Sequence, residues 1–506
     1  MRGSATLHRI FSERTGWFLT LLVAGFFLLY RVAGIFFPHP DAGGVEGNVI
    51  YFVQRILDGQ PVYTDPEQPP FAIAQYAPAY YYLVAGIARV SGSGPDEVFA
   101  LFVVGRVVSL LLNIGLARIV LSICRKIFDI PVLRSGITAG LCFIFLQSTS
   151  FARPDSLYHV VFMLSLYCFL RWFRQEASSA GRNWLVAAAL LSAATFFCKQ
   201  TGIVLPCVFG LILIIQKRYK LLVQFSLFYL VTFSAMFAVT GFFLGFDLFL
   251  KNALQGINNG ISPGWYLRVV FLPVFASGAG FLLLPAFVIV LWLALKETRP
   301  ALRLSGSLLL LFFICLNGIA LKLGSVAGYL TEWWIFLFIQ LAYYWPVFTR
   351  KRGEAVAMMA TTVFVLILGI KTWQLMPDMQ TKWKALTSSR RMEPYFAEKK
   401  LAGQMLNRVP PGKNFAVFMN MYTPDSYMSN LLFRQAVLPQ FEIVTISTYP
   451  LKKYDYTRLE QGLQNGRFPW MMMREKDTVK RFFNIPLNHY NPVESAAGFT
   501  IYQFKP

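Results

Sequence analysis

Long apolar runs separated by short basic connections fill the first three quarters of the chain. A helix needs about 20 apolar residues to cross a bilayer. By that measure the runs supply about eleven candidate spans: 17–37, 98–124, 134–152, 154–172, 184–198, 202–216, 221–245, 268–295, 304–321, 329–348 and 353–373. The fifth and sixth are short and meet at Lys199-Gln200, so they make either two spans or one re-entrant pair, with the same parity in both cases.

Basic residues sort the connections. Arg2/Arg9/Arg14, Arg125/Lys126/Arg134, Arg171/Arg174/Arg182, Lys217/Arg218/Lys220, Lys296/Arg299/Arg303 and Arg350/Lys351/Arg352 fall in alternate connections, which the positive-inside rule assigns to the cytoplasm. The first run is too long for a signal-peptide core and lacks a small-residue cleavage site, so it reads as a retained span with the N-terminus inside. Stretch 38–97 holds Asp41, Glu46, Asp58, Asp65, Glu67, Asp96 and Glu97 against Arg55 and Arg89, which puts it on the outer side. It is long for a connection. Within it, 45–58 places Val49, Phe52, Val53 and Ile56 at helical spacing, and 78–90 is short and aromatic-rich; both are predicted as interfacial helices.

Past Met376 the polarity becomes ordinary, and NFAVFM, FEIVTIST and FTIYQF read as strands between helical stretches. An odd number of spans places this region outside. The predicted architecture is an α-helical polytopic membrane domain over 1–375, including the outside loop 38–97, followed by an extracytoplasmic α/β domain over 376–506.

Composition narrows the function. Of the 506 residues 56% are hydrophobic and 14% charged, where soluble domains carry about 25% charge. The net charge of +22 (47 − 25) comes in clusters that punctuate apolar runs, which points to the bilayer and argues against a nucleic-acid partner. Cys124, Cys142, Cys168, Cys198, Cys207 and Cys315 lie in or beside apolar runs with no CxxC, against a disulfide framework or zinc site. No HExxH, P-loop or dinucleotide fingerprint occurs, and His39 and His159 are isolated.

The candidate chemistry gathers on the outer side. Asp41 and Glu46 lie in HPDAGGVEG, where glycines allow close approach of the backbone to a ligand. A carboxylate there serves as a general base or as the N-cap of the next helix. Arg153-Pro154-Asp155 suits a site and also ordinary helix-start chemistry. Lys199, in CKQTG, is either an intramembrane functional group or a snorkelling end-of-span lysine. KLGSVAGYLTE carries Lys322, Tyr329 and Glu332, fit to bind an anionic headgroup or to form a plain turn. Independent spans would scatter such residues over both faces; the predicted topology collects them on one.

In chain order, the first-loop carboxylates, GQPVYTDPEQPPFAIAQYAPAYYYLVAGIARVSG, ARPDSLY, FFCKQTGIVLP and KLGSVAGYLTE resemble the GT-C integral-membrane glycosyltransferases. The likeness is to bacterial relatives of protein O-mannosyltransferases and of the aminoarabinose transferases that modify lipid A. The resemblance implies a polyprenyl phosphate sugar as donor and a lipid, polysaccharide or protein hydroxyl as acceptor. It implies transfer on the outer face of a bacterial inner membrane, by direct displacement that inverts the anomeric configuration. Asp41 matches the family's catalytic base, with Glu46 as the second acid of the loop. Arg153, Lys199, Arg268 and Lys322 are the cations available to hold the departing phosphate, beside Asp155, Tyr329 and Glu332, and a divalent metal ion is the cofactor that could share that work. A transporter or flippase of lipid-linked sugars and a polysaccharide polymerase or ligase are the competing readings. The lack of an internal repeat, the long first loop and the α/β tail favour the transferase.

Overall fold

The computed structural model describes residues 2–40, 44–146, 151–175, 179–276, 280–298, 300–390, 392–410, 414–418, 426–437, 452–474 and 488–505. In chain order the first helices are α1 (Arg2–Ile35), α2 (Val45–Leu57), α3 (Ala79–Val90), α4 (Val98–Lys126), α5 (Val132–Phe145), α6 (Pro154–Arg174), α7 (Ser179–Cys198), α8 (Val204–Ile215) and α9 (Tyr219–Leu244). Helices Leu283–Leu295, Pro300–Ala320 and Thr331–Thr387 complete the bundle. Their apolar faces meet in one core that includes Phe162, Phe169, Phe209, Phe312 and Trp333. The outer faces stay apolar too: α9 leaves Leu227, Val231, Val239 and Phe242 exposed, as a helix in lipid does.

Six helices among the described residues are long and apolar enough to cross a membrane, and Pro263–Ala276 with Gly280–Leu295, bent by 79°, makes a seventh if the pair is one span. The protein is therefore a multi-pass membrane protein. The eleven spans expected from the sequence are not matched one for one. Val132–Phe145 and Gln200–Ile215 are shorter than that measure requires, and the last two expected spans lie in one unbroken helical run, Thr331–Thr387. That run cannot be straight. Glu332 and Lys382 would then stand about 75 Å apart, yet Glu332 pairs with His159 while the Lys382 ammonium lies 5.8 Å from the Phe151 ring. Phe151 and His159 are separated by at most about 29 Å of extended chain, so the run bends back on itself.

Three of the basic connections, 125–134, 171–182 and 217–220, lie together at one end of the bundle. Arg174 donates to the Lys126 and Ile127 carbonyls at 2.7 and 3.0 Å, Arg218 lies over Trp172 and Phe173, and Arg134 donates to the Ala342 carbonyl. The loop between α1 and α4 covers the opposite end. There α2 is buried from Glu46 to Arg55, because the C-terminal region caps it: Asn430 donates to the Gly47 carbonyl at 3.1 Å and to Gln54 at 3.0 Å. An interfacial helix would keep its polar face in water, so α2 is an internal element. By contrast, α3 leaves Tyr82, Ile87 and Val90 exposed, as an interfacial helix would.

Helix Thr331–Thr387 runs across Met376, and the C-terminal fold proper starts at helix Glu393–Arg408. Its sheet has the order β2-β1-β3-β5-β4, built from β1 (Phe415–Phe418), β2 (Ala436–Val437), β3 (Trp470–Met473), β4 (Tyr490–Ala496) and β5 (Phe499–Phe504). β1 runs parallel to β2 and β3, and β5 antiparallel to β3 and β4. The β4–β5 turn, Ala497-Gly498, has φ of 50° and 77°, the left-handed pair that a tight hairpin requires. Alternate residues face opposite sides. Phe415, Val417, Met472 and Ile501 pack on Leu401 and Met405, whereas Phe418, Met471 and Tyr502 pack with Tyr454, Leu459 and two first-loop residues, Phe71 and Ile73. The first loop and the sheet thus share a core. FEIVTIST lies outside the described residues.

Candidate functional site

The motif CKQTG interrupts two helices. α7 ends at Cys198, Lys199 is extended (φ −157°, ψ 135°), and a single 3-10 turn over Gln200–Ile203 leads into α8. Gly202 makes the break possible: a Cβ there would sit 2.5 Å from the Thr195 carbonyl carbon and 2.6 Å from the Phe196 nitrogen. Gln200 ties the break down by donating to the Gln75 carbonyl at 3.0 Å and the Ala253 carbonyl at 2.8 Å. The Lys199 side chain is left only 7% exposed, with its ammonium 2.5 Å from Asp155 and 4.5 Å from the Tyr329 ring centroid. It does not snorkel, since a snorkelling lysine carries its charge into water.

Around this pair lies a cavity of about 260 Å³ whose lining includes Gln75, Arg153, Asp155, Lys199, Asn259, Lys322 and Tyr329. Asp155 reaches it because Arg153 is extended and Pro154 starts α6, leaving Asp155 in the first helical turn. Lys322 is fixed by backbone pairing of 260–262 with 321–323: the Leu323 N–H donates to the Gly260 carbonyl and the Ser262 N–H to the Leu321 carbonyl, at 3.0 and 2.9 Å. Burial, ahead of the neighbouring lysines, holds the Lys322 ammonium below its ordinary range. Among the described lining residues three side chains are cationic and one is a carboxylate, so the cavity suits an anion. One carboxylate already paired to lysine is a poor donor set for a divalent cation, and among the described residues no three His, Cys, Asp or Glu side chains converge.

Glu46 stands apart from the cavity lining. It is fully buried, and Arg106 takes both of its oxygens, Nε at 2.8 Å and Nη2 at 2.7 Å. The Ala152 N–H donates to the same carboxylate. Arg106 also donates to the carbonyls of Gly34, Ile35, Phe37 and His39. This carboxylate holds the end of α1, the start of α2 and the approach to Arg153 together. Nor does it cap α2, whose N-cap is Gly44. Asp41 lies outside the described residues, between segments that this latch clamps. Glu332 is buried against His159 Nδ1, and Arg268 is exposed, with its Nε on the Gly264 carbonyl; neither lines the cavity.

Sequence reasoning overlooked Arg106, His159 as the partner of Glu332, Asn259 and Gln200. Arg106 had a readable signal, as one of two charges, with Arg118, inside the apolar run 98–124. The others have ordinary local contexts.

No family model matches the chain, and no curated protein matches it by sequence. Solved structures match it by fold. ArnT from Cupriavidus metallidurans in the apo state superposes with a TM-score of 0.60 at 15% identity, over 97% of this chain and 98% of ArnT. ArnT bound to undecaprenyl phosphate gives 0.59 at 16%, over 96% and 98%. The oligosaccharyltransferase AglB from Archaeoglobus fulgidus, in complex with an inhibitory peptide and a dolichol-phosphate, gives 0.53 at 12%, over 93% of this chain and 71% of AglB. Likeness at this identity and over nearly the whole chain is likeness of fold: the protein has the GT-C fold of integral-membrane glycosyltransferases.

Proposed function

We propose that the protein is a glycosyltransferase that moves a sugar from a polyprenyl phosphate donor to an acceptor hydroxyl on the outer face of a bacterial inner membrane. The observation that carries this reading is the cavity with three cationic side chains and one carboxylate, set in a membrane bundle of GT-C fold. The matched structures support it, with undecaprenyl phosphate bound to ArnT and dolichol-phosphate to AglB. The gathering of three basic connections at the opposite end supports placing the cavity outside the cytoplasm.

The chemistry follows from the leaving group. The acceptor oxygen attacks the anomeric carbon, the bond from that carbon to the phosphate oxygen breaks, and the electron pair leaves with the phosphate, so the configuration inverts. A glycosidase must protonate an alkoxide leaving group. Phosphate, with a second pKa of about 6, departs without an acid, and Arg153, Lys199 and Lys322 would stabilise its charge. Only a base for the acceptor proton is then required. Asp41 fills that role in this reading; Glu46 serves as the latch that positions its loop; and no step needs a metal ion.

The test is purified protein with a radiolabelled polyprenyl phosphate sugar and candidate lipid, polysaccharide and protein acceptors. Sugar moved to an acceptor supports the reading, whereas sugar carried across vesicles without transfer makes the protein a flippase. Asp41→Asn should lower turnover by about 10²–10⁴-fold with donor binding retained; half of the wild-type rate or more would pass the base role to Asp155.

A further inference from the structure

The sheet domain places one side chain at the rim of the membrane cavity. Lys453 sits in a strap over residues 452–456 that is fastened on both sides. Gln255 donates to the Lys453 carbonyl at 2.6 Å, the Tyr454 hydroxyl donates to the Lys251 carbonyl at 2.7 Å, and the Asp455 N–H donates to Glu67 at 3.1 Å. The strap leaves the Lys453 ammonium 2.5 Å from the side-chain oxygen of Asn259, itself buried and part of the cavity lining. The amide nitrogen of the same Asn259 donates to the Leu323 carbonyl at 3.2 Å, one residue from Lys322. Asn259 therefore ties the Lys453 side chain to the backbone beside Lys322.

These two differ from Lys199 in their charge balance. Lys199 has Asp155, but among the described residues neither Lys322 nor Lys453 meets a carboxylate within salt-bridge distance. Burial brings the Lys453 ammonium down to about 8, and Lys453 in turn adds to the downward pull on Lys322. Two partly desolvated like charges at one cavity are unfavourable by themselves, and an anion between them removes the penalty.

We propose that Lys322 in the cavity lining and Lys453, held at its rim by Asn259, form an anion subsite that takes a phosphate group, so that the sheet domain takes part in substrate binding. This rests on the transferase reading only for the origin of the phosphate, which is the donor's polyprenyl phosphate or a phosphate on the acceptor. The subsite itself requires only the two cations and the asparagine that holds Lys453 in place.

The experiment compares full-length wild type, Lys453→Met and Lys453→Arg in detergent, measuring the dissociation constant of undecaprenyl phosphate and the thermal shift given by inorganic phosphate. Loss of one charge-assisted contact should weaken binding about ten-fold, with Lys453→Arg keeping most of the affinity and showing that the strap still folds. Weakened undecaprenyl phosphate binding assigns the subsite to the donor. An unchanged value for that lipid, with the inorganic phosphate shift lost, assigns it to a second phosphate. If both measurements are the same in wild type and Lys453→Met, the subsite does not exist. A wild type that binds phosphate through Lys453 yet transfers no sugar overturns the transferase reading and leaves the subsite standing.

Discussion

Replacing Glu46 by Gln strips the fully buried Arg106 of its counter-charge while keeping nearly the same shape. In the wild type both oxygens of Glu46 accept from Arg106, and one also accepts from the Ala152 N–H. If the Gln oxygen keeps the Nε and Ala152 bonds, its NH₂ must face the Arg106 Nη2 at the position of the present 2.7 Å contact, donor against donor. Breaking one side of a buried ion pair costs about 3–5 kcal/mol, so Glu46→Gln should melt well below wild type in detergent, followed by tryptophan fluorescence. Removing both charges is often neutral. The double variant Glu46→Leu/Arg106→Leu should therefore recover most of the lost melting temperature, giving a coupling energy of similar size in a double-mutant cycle. It should not recover sugar transfer, because the four backbone carbonyls that Arg106 gathers around residues 34–39 lose their clamp. A Glu46→Gln protein that melts like wild type but has lost turnover would refute this account and return Glu46 to the chemistry.

Three further outcomes are expected. Lys199→Met should raise the dissociation constant of the polyprenyl phosphate donor about ten-fold, the cost of a charge-assisted hydrogen bond; equal constants would leave the phosphate to Arg153 and Lys322. Gly202→Ala should cost about 1–3 kcal/mol of stability by overpacking against the Thr195–Phe196 backbone, and unchanged thermal unfolding would mean that the break between α7 and α8 relaxes without strain. A reporter active only in the cytoplasm, fused after residue 506, should be silent; strong activity would reverse the proposed orientation.

Much of the candidate site was legible because its members sit at interruptions of apolar runs, where a charged or glycine-rich segment stands out. Arg153, Asp155, Lys199, Lys322 and Tyr329, singled out on that ground, line one cavity. Glu332 and Arg268 shared the same signal, yet one is buried against His159 and the other is exposed. A position at the end of a span states the depth of a residue but not the direction of its side chain. In the sheet domain, NFAVFM and FTIYQF carry the alternating apolar pattern and form β1 and β5. β3, the methionine-rich WMMM, lacks the alternation of apolar and polar positions that marks a strand, and β4 contains Pro492, tolerated because β4 is an edge strand with a register shift at that point.

Hydropathy and charge are properties of local stretches, and they determined by themselves that the chain is a multi-pass membrane protein. Only the tertiary structure decided which charges are paired. Arg106 and Glu46 are 60 residues apart, His159 and Glu332 173, and Lys453 and Asn259 194. A buried charge is tolerated wherever any element brings it a partner, so nothing in its own neighbourhood identifies that partner. The same reason hid the burial of α2. Its amphipathic pattern fits a membrane surface or a protein cover equally well, and the docking of Asn430 onto Gln54 and Gly47, a contact between distant parts of the chain, selected the cover.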